Sequence, residues 1–68
     1  MKIVVNGDDV EVPDGATVRS VVEMMTETRG RKGIAVALNA VVVHRGAWDE
    51  TTLSEEDQVE VLSAIGGG

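Results

Sequence analysis

Alternating β-branched residues open the chain, with Ile3 and Val5 on one parity and Lys2, Val4 and Asn6 on the other, which predicts a strand over 2–6. Gly7-Asp8 reads as a tight turn, and Val10 to Val12 as the returning strand of a hairpin. Pro13, Asp14 and Gly15 break the pattern, and Thr17 then stands where a helix wants its N-cap. Val18, Val21, Val22 and Met25 fall at i, i+3, i+4 and i+7, one apolar stripe of a helix whose natural stop is Gly30. The continuous apolar run Ile34 to Leu38 suits a central strand, and Asn39-Ala40 separates it from a short strand at Val41 to Val43. Gly46 to Ser54 has no period, and its two large apolar residues, Trp48 and Leu53, are expected to pin this crossing segment to the core. Glu55-Glu56-Asp57 makes a turn into a last strand, Gln58 to Ala64, which runs into Gly66, Gly67 and Gly68. The predicted order is β-β-α-β-β-β. That describes an α+β domain over 1–65, a mixed sheet with one packed helix, followed by a flexible glycine tail at 66–68.

One helix covers one sheet face, so the other face meets solvent or a partner. If Ile3, Val5, Ile34, Val36, Leu38, Val41, Val43, Val59 and Val61 point at the helix, the period of two sends Val4, Ala35, Ala37, Val42, Leu62 and Ala64 outward. Scattered exposed apolar residues are ordinary on any protein. Here Leu62 and Ala64 cluster just before the glycines, which is the pattern of a docking face.

Composition narrows the chemistry. A chain of 68 residues makes one domain, and a core of this size nets only about 3–5 kcal/mol, little to hold a strained catalytic cleft. Carrying or binding is therefore expected rather than catalysis. The absence of cysteine removes disulfides, thiolate catalysis, persulfide carriage and zinc-thiolate sites. Twelve Asp and Glu against six Lys and Arg give a net charge of −6, which opposes nucleic acid and anionic membranes and suits basic partner surfaces. Arg29, Arg31 and Lys32 surround Gly30 and Gly33 with no aromatic residue between them, as in a solvated loop. No secretory or spanning segment is read at the start of the chain, so a cytoplasmic location and a monomer when free are expected. His44 has no nucleophile or carboxylate at a telling spacing and reads as a surface histidine; Glu55, Glu56 and Asp57 lack the spacing of a calcium loop. No resident metal or cofactor is expected.

The glycines carry the remaining signal. Three in succession cannot pack or hold a regular shape, and a carboxylate on Gly68 would stand on a slender stalk suited to a narrow active site. A carboxylate is a poor electrophile until adenylation by ATP supplies a leaving group, after which a sulfur nucleophile can displace AMP and leave a thiocarboxylate. A glycine run by itself also fits a frayed end or an expression remnant. The tail leaves the last strand of a β-β-α-β-β-β pattern directly, where ubiquitin-like carriers place theirs.

From Gly33 onward the sequence resembles the ThiS family of sulfur carriers of thiamine biosynthesis, through the run Gly33 to Asn39, Val42-Val43, Arg45, Trp48, Leu53, Asp57, the Val59 to Leu62 strand and the glycine end. The likeness extends more loosely back to Met1. It implies a ubiquitin-like β-grasp fold whose Gly68 is adenylated by an E1-like enzyme that consumes ATP and is converted to a thiocarboxylate. The sulfur would come from a donor such as a cysteine desulfurase system and pass to thiazole synthase. Gly66 and Gly67 would enter partner active sites while the sheet face near the last strand docks. The sequence departs from the family at His44, where proline is common, and at Glu56, where glycine is common; a positive φ at Glu56 would strain the turn. Other readings are the same chemistry serving molybdopterin or cysteine synthesis, a protein modifier joined to lysines through Gly68, and an interaction module with incidental glycines.

Overall fold

The computed structural model describes residues 1–25 and 33–63. Among them are five strands and one α-helix: β1 (Lys2–Val5), β2 (Asp8–Glu11), α1 (Val18–Met24), β3 (Ile34–Leu38), β4 (Val41–Val43) and β5 (Gln58–Ser63), with a 3-10 turn at Arg45–Ala47. The sheet order is β2-β1-β5-β3-β4. β5 runs parallel to β1 and antiparallel to β3, so the last strand in sequence is the middle strand of a mixed sheet. This is the α+β β-grasp arrangement.

The first hairpin turns one residue earlier than expected. β1 ends at Val5, Val5 pairs with Asp8, and the loop is Asn6-Gly7, with β2 formed by Asp8–Glu11 rather than by Val10 to Val12. A two-residue turn that matches strand twist needs positive φ at both positions, and Asn6 at 50° and Gly7 at 87° supply it where Gly7-Asp8 would not. The helix is also shorter than its expected stop at Gly30. Met25 takes an extended backbone and its N–H closes on the Val22 carbonyl. The cause is legible one turn ahead: positions 28 and 29, which would continue the stripe, are Thr28 and Arg29. Gly30 itself lies outside the described residues.

At its start the helix is capped as expected. The Thr17 hydroxyl accepts the Ser20 N–H at 3.3 Å while Ser20 Oγ accepts the Thr17 N–H at 3.1 Å, a reciprocal box that satisfies two otherwise unpartnered donors. Val18, Val21 and Val22 of its stripe are buried against Ile3, Val5, Val36, Val59 and Val61 from the inner sheet face. Val41 lies on the same side as Leu38 but is 67% exposed, because β4 is the sheet edge and the helix stripe does not reach it.

The crossing segment closes the core's open side. Trp48 and Leu53 are 2% and 3% exposed, as the sequence predicts. The Trp48 indole N–H donates to the Val43 carbonyl at 3.0 Å, and the guanidinium groups of Arg19 and Arg45 lie 5.7 and 5.0 Å from its ring centroid. Arg19 is held there by Asp49, its Nε donating to Oδ1 at 2.6 Å. The backbone ties the same elements together: Val18 N–H reaches Thr51, Arg19 N–H reaches Trp48 and Leu53 N–H reaches Ala16.

Two non-glycine residues sit where glycine would be easier. Glu56 has φ of 68°, the strained turn that its departure from a common glycine predicts, and Ala40, second residue of the β3–β4 turn, has φ of 72°. Left-handed backbone costs an L-residue roughly 1 kcal/mol. Ala40→Gly should therefore raise the thermal midpoint by about 4–8 °C, the shift of roughly 1 kcal/mol in a domain this small. Glu56→Gly should raise it less, because it also removes an exposed ion pair to Lys2. Midpoints that stay put or fall would refute backbone strain at these turns.

Candidate functional site

The site predicted from the sequence is the outer sheet face where β5 runs toward the glycines. Register places Ala35 opposite Leu62, and Ala37 opposite both Val42 on β4 and Glu60 on β5. These residues share the face away from the helix. Leu62 and Val42 are 68% and 66% exposed, large apolar side chains that the described residues leave uncovered. Together with Ala35 and Ala37 they form a contiguous apolar half-face.

Val4 belongs to the same face but not to that patch. It is half-buried, pairs with Gln58 on β5 and Asp9 on β2, and is separated from Ala37 by the β5 column of Gln58 and Glu60. The sequence reading named only apolar residues and so passed over both. Their parity with Leu62 is the signal that would have included them. Ala64, Gly66, Gly67 and Gly68 lie outside the described residues.

The other half of the face is charged. Lys2 lies 3.3 Å from the Glu56 carboxylate and 4.0 Å from that of Asp9. The hydrogen bond to Glu56, then the field of Asp9, raises the Lys2 ammonium above its ordinary value of 10.5. The outer face thus passes from charged at β2 and β1 to apolar at β3 and β4, with Glu60 at the boundary.

What holds β5 under this face is a pair of asparagines that the sequence reading took only as strand end and turn. Asn39, at φ of 49°, donates its N–H to Gln58 O at 2.7 Å, and its side-chain oxygen accepts Gln58 N–H at 2.9 Å. Its amide group also donates to Asp57. Asn6, at φ of 50°, donates its N–H to Val59 O at 2.9 Å. Its side-chain oxygen accepts Val61 N–H at 2.8 Å and its amide donates to Val61 O at 3.2 Å. One asparagine from each flanking turn grips one end of β5. The Asn-Gly pair after an alternating strand was the available signal for the first.

His44 is exposed and its side chain does not cap the 3-10 turn that follows it. Among the described residues no three His, Cys, Asp or Glu side chains gather as metal ligands. Among them, too, no helix is long and apolar enough to cross a membrane.

Comparison with known proteins is consistent along the whole chain. The model of the ThiS family matches residues 2–68. A crystal structure of the thiamine biosynthesis protein ThiS from Geobacter metallireducens superposes with a TM-score of 0.79 at 31% identity, covering all of both chains. A solution structure of a thiamine biosynthesis protein from the same organism gives 0.77 at 31% identity, covering all of this chain and 88% of that one. A thiazole synthase from Magnetococcus marinus is 37% identical over 68 residues, and the chain spans 20% of the length of that relative.

The Lys2 pairs set a pH dependence. Because the folded ammonium titrates above the unfolded one, their stabilisation is fully present below about pH 10.5 and is lost as pH rises through the folded value. The urea midpoint should thus fall between pH 10 and 12 by more in the native chain than in Lys2→Gln. The difference should shrink in high salt, which screens exposed pairs. Parallel pH profiles for the two proteins would show that the pairs contribute nothing.

Proposed function

The chain belongs to the ThiS family, and on that footing we propose that it is a sulfur carrier that delivers sulfur for thiazole formation in thiamine biosynthesis. The carrying group is the carboxylate of Gly68. An E1-like partner joins it to AMP from ATP with release of pyrophosphate; a sulfide-level nucleophile then attacks the acyl carbon, expels AMP and leaves a thiocarboxylate. No oxidant or reductant is consumed in that exchange. ATP belongs to the adenylating partner, and this chain is a co-substrate rather than an enzyme.

The observation that carries this reading is the family match running through the glycine end, on a fold whose central strand leads to those glycines. Glycine suits the role because it adds no Cβ to crowd attack at the terminal carbonyl. The relative named thiazole synthase, with a segment like this chain making up a fifth of it, supports thiazole synthase as the acceptor. A sulfur donor such as a cysteine desulfurase system completes the set of partners; sulfur handed on as a persulfide forms an acyl disulfide on expelling AMP, and a thiol reductant must then cleave it to free the thiocarboxylate. The apolar half-face of Ala35, Ala37, Val42 and Leu62 serves for docking; Val4 is at its margin. Gly66 and Gly67 thread the partner's active site.

Incubation with ATP, an E1-like adenylating enzyme and sulfide should raise the intact mass by the exchange of one oxygen for sulfur, located on the C-terminal peptide. Deleting Gly68 should abolish the exchange and leave thermal unfolding unchanged. A truncated chain that still takes up sulfur, or a native chain that never does, would overturn the assignment.

Docking is tested separately. Leu62→Asp and Val42→Asp alter exposed side chains, so the fold should survive. Each should weaken adenylation through a KM at least about tenfold higher, since burying such a side chain contributes about 1.5–3 kcal/mol. A KM equal to that of the native chain in both variants would remove the patch from the interface.

A further inference from the structure

β5 outlasts its partner on one side. Its ladder with β1 pairs Val4 with Gln58 and Val5 with Val59, and β1 then turns away at Asn6-Gly7. Val61 is buried, 4% exposed, with its N–H and C=O facing the side that β1 has left. A buried peptide group left without partners would cost about 1–3 kcal/mol for each unmade bond. The Asn6 side chain fills the gap: a carboxamide carries an acceptor oxygen beside a donor nitrogen, as a peptide does, and it engages both groups of Val61. Ionised aspartate in its place could accept but not donate, and serine would have to make both bonds from a single, shorter-reaching oxygen. The left-handed backbone that aims it, costly for most residues, is one that asparagine tolerates.

The position of this latch gives it a role beyond stability. Val61 lies two residues before the end of β5, and past it the strand is paired on the β3 side alone, Ser63 opposite Ile34. We propose that Asn6 is a positioning residue for sulfur transfer: by fixing Val61 on both its backbone groups, it sets the direction of the last residues of β5, the strand that precedes Gly68 in the sequence. The proposal rests on the carrier reading above. Its consequence is kinetic. Ala35, Ala37 and Val42 of the docking half-face lie on strands that Asn6 does not bond, and Leu62, which follows Val61, stays paired with Ala35 on β3, so docking is retained, whereas delivery of the terminal carboxylate to the partner's reacting centre depends on where β5 points.

Two variants test it. Asn6→Gly keeps the left-handed turn and removes the latch; Asn6→Asp keeps the acceptor for Val61 N–H and sets a carboxylate oxygen against Val61 C=O. In Asn6→Gly the Val61 amide should exchange with solvent about two- to tenfold faster, the loss of one net hydrogen bond, and in Asn6→Asp, which keeps that acceptor, by less, while the Val4 amide, bonded to Asp57 O, stays protected in both. With the E1-like enzyme and ATP, kcat for adenylation should fall about tenfold with KM little changed, as expected when the reacting group is misplaced after docking. An unchanged kcat, or a loss that appears only in KM or tracks the unfolded fraction, would overturn the positioning role. A native chain that is never adenylated would instead sink the carrier reading, and the positioning role with it.

Discussion

The structure depends on the last strand occupying the middle of the sheet. β5 pairs with β1 from the start of the chain and with β3 from its centre, and it contributes Val59 and Val61 to the core. Without it the other described strands make only two separate pairs, β1 with β2 and β3 with β4, because β5 is what joins β1 to β3. Such pairings are long-range, so their loop-closure entropy is met before the contacts form. Local features compensate by holding the strand at both ends once it arrives. Asn39 grips Gln58 and Asn6 grips Val61, each from a tight turn that requires the positive φ asparagine tolerates.

The same topology explains where an interaction surface can lie. The described residues include one α-helix, and the crossing segment with Trp48 and Leu53 completes the cover on the helix side. The described residues leave the outer face uncovered. Its two halves differ in chemistry, with Lys2, Asp9 and Glu56 paired near one edge and Val42 and Leu62 exposed near the other. Because β5 is central, the apolar half borders the strand that leads toward the glycines. A partner that covers that half is placed beside the end of β5 without any rearrangement of the domain.

Arg19 shows how much a small core relies on polar groups around its one aromatic ring. Its guanidinium lies over Trp48, bonds Asp49 and approaches Glu23 one helical turn on. Exposed ion pairs of this kind contribute little singly. Their value here is geometric, since they fix the crossing segment against the helix whose backbone it already bonds through Val18, Arg19 and Leu53.

Much of this was legible in the residues alone. Period-two runs determined the strands and their faces, the stripe from Val18 to Met25 determined the helix and its buried side, and Thr17 determined where it begins. The lack of cysteine and the run of glycines are what the chemistry proposed for Gly68 starts from. These features are local, acting between neighbours a few positions apart, and a sequence displays them directly. The Asn6-Gly7 turn was legible too, in its residue pair; only the tertiary structure decided that Glu60 and Gln58 divide Val4 from the other outward apolar residues, and that Asn6 reaches across 55 positions to Val61. The reason is that register and side-chain reach are settled between strands distant in sequence, where a shift of one residue exchanges the two faces and nothing nearby records which shift is taken.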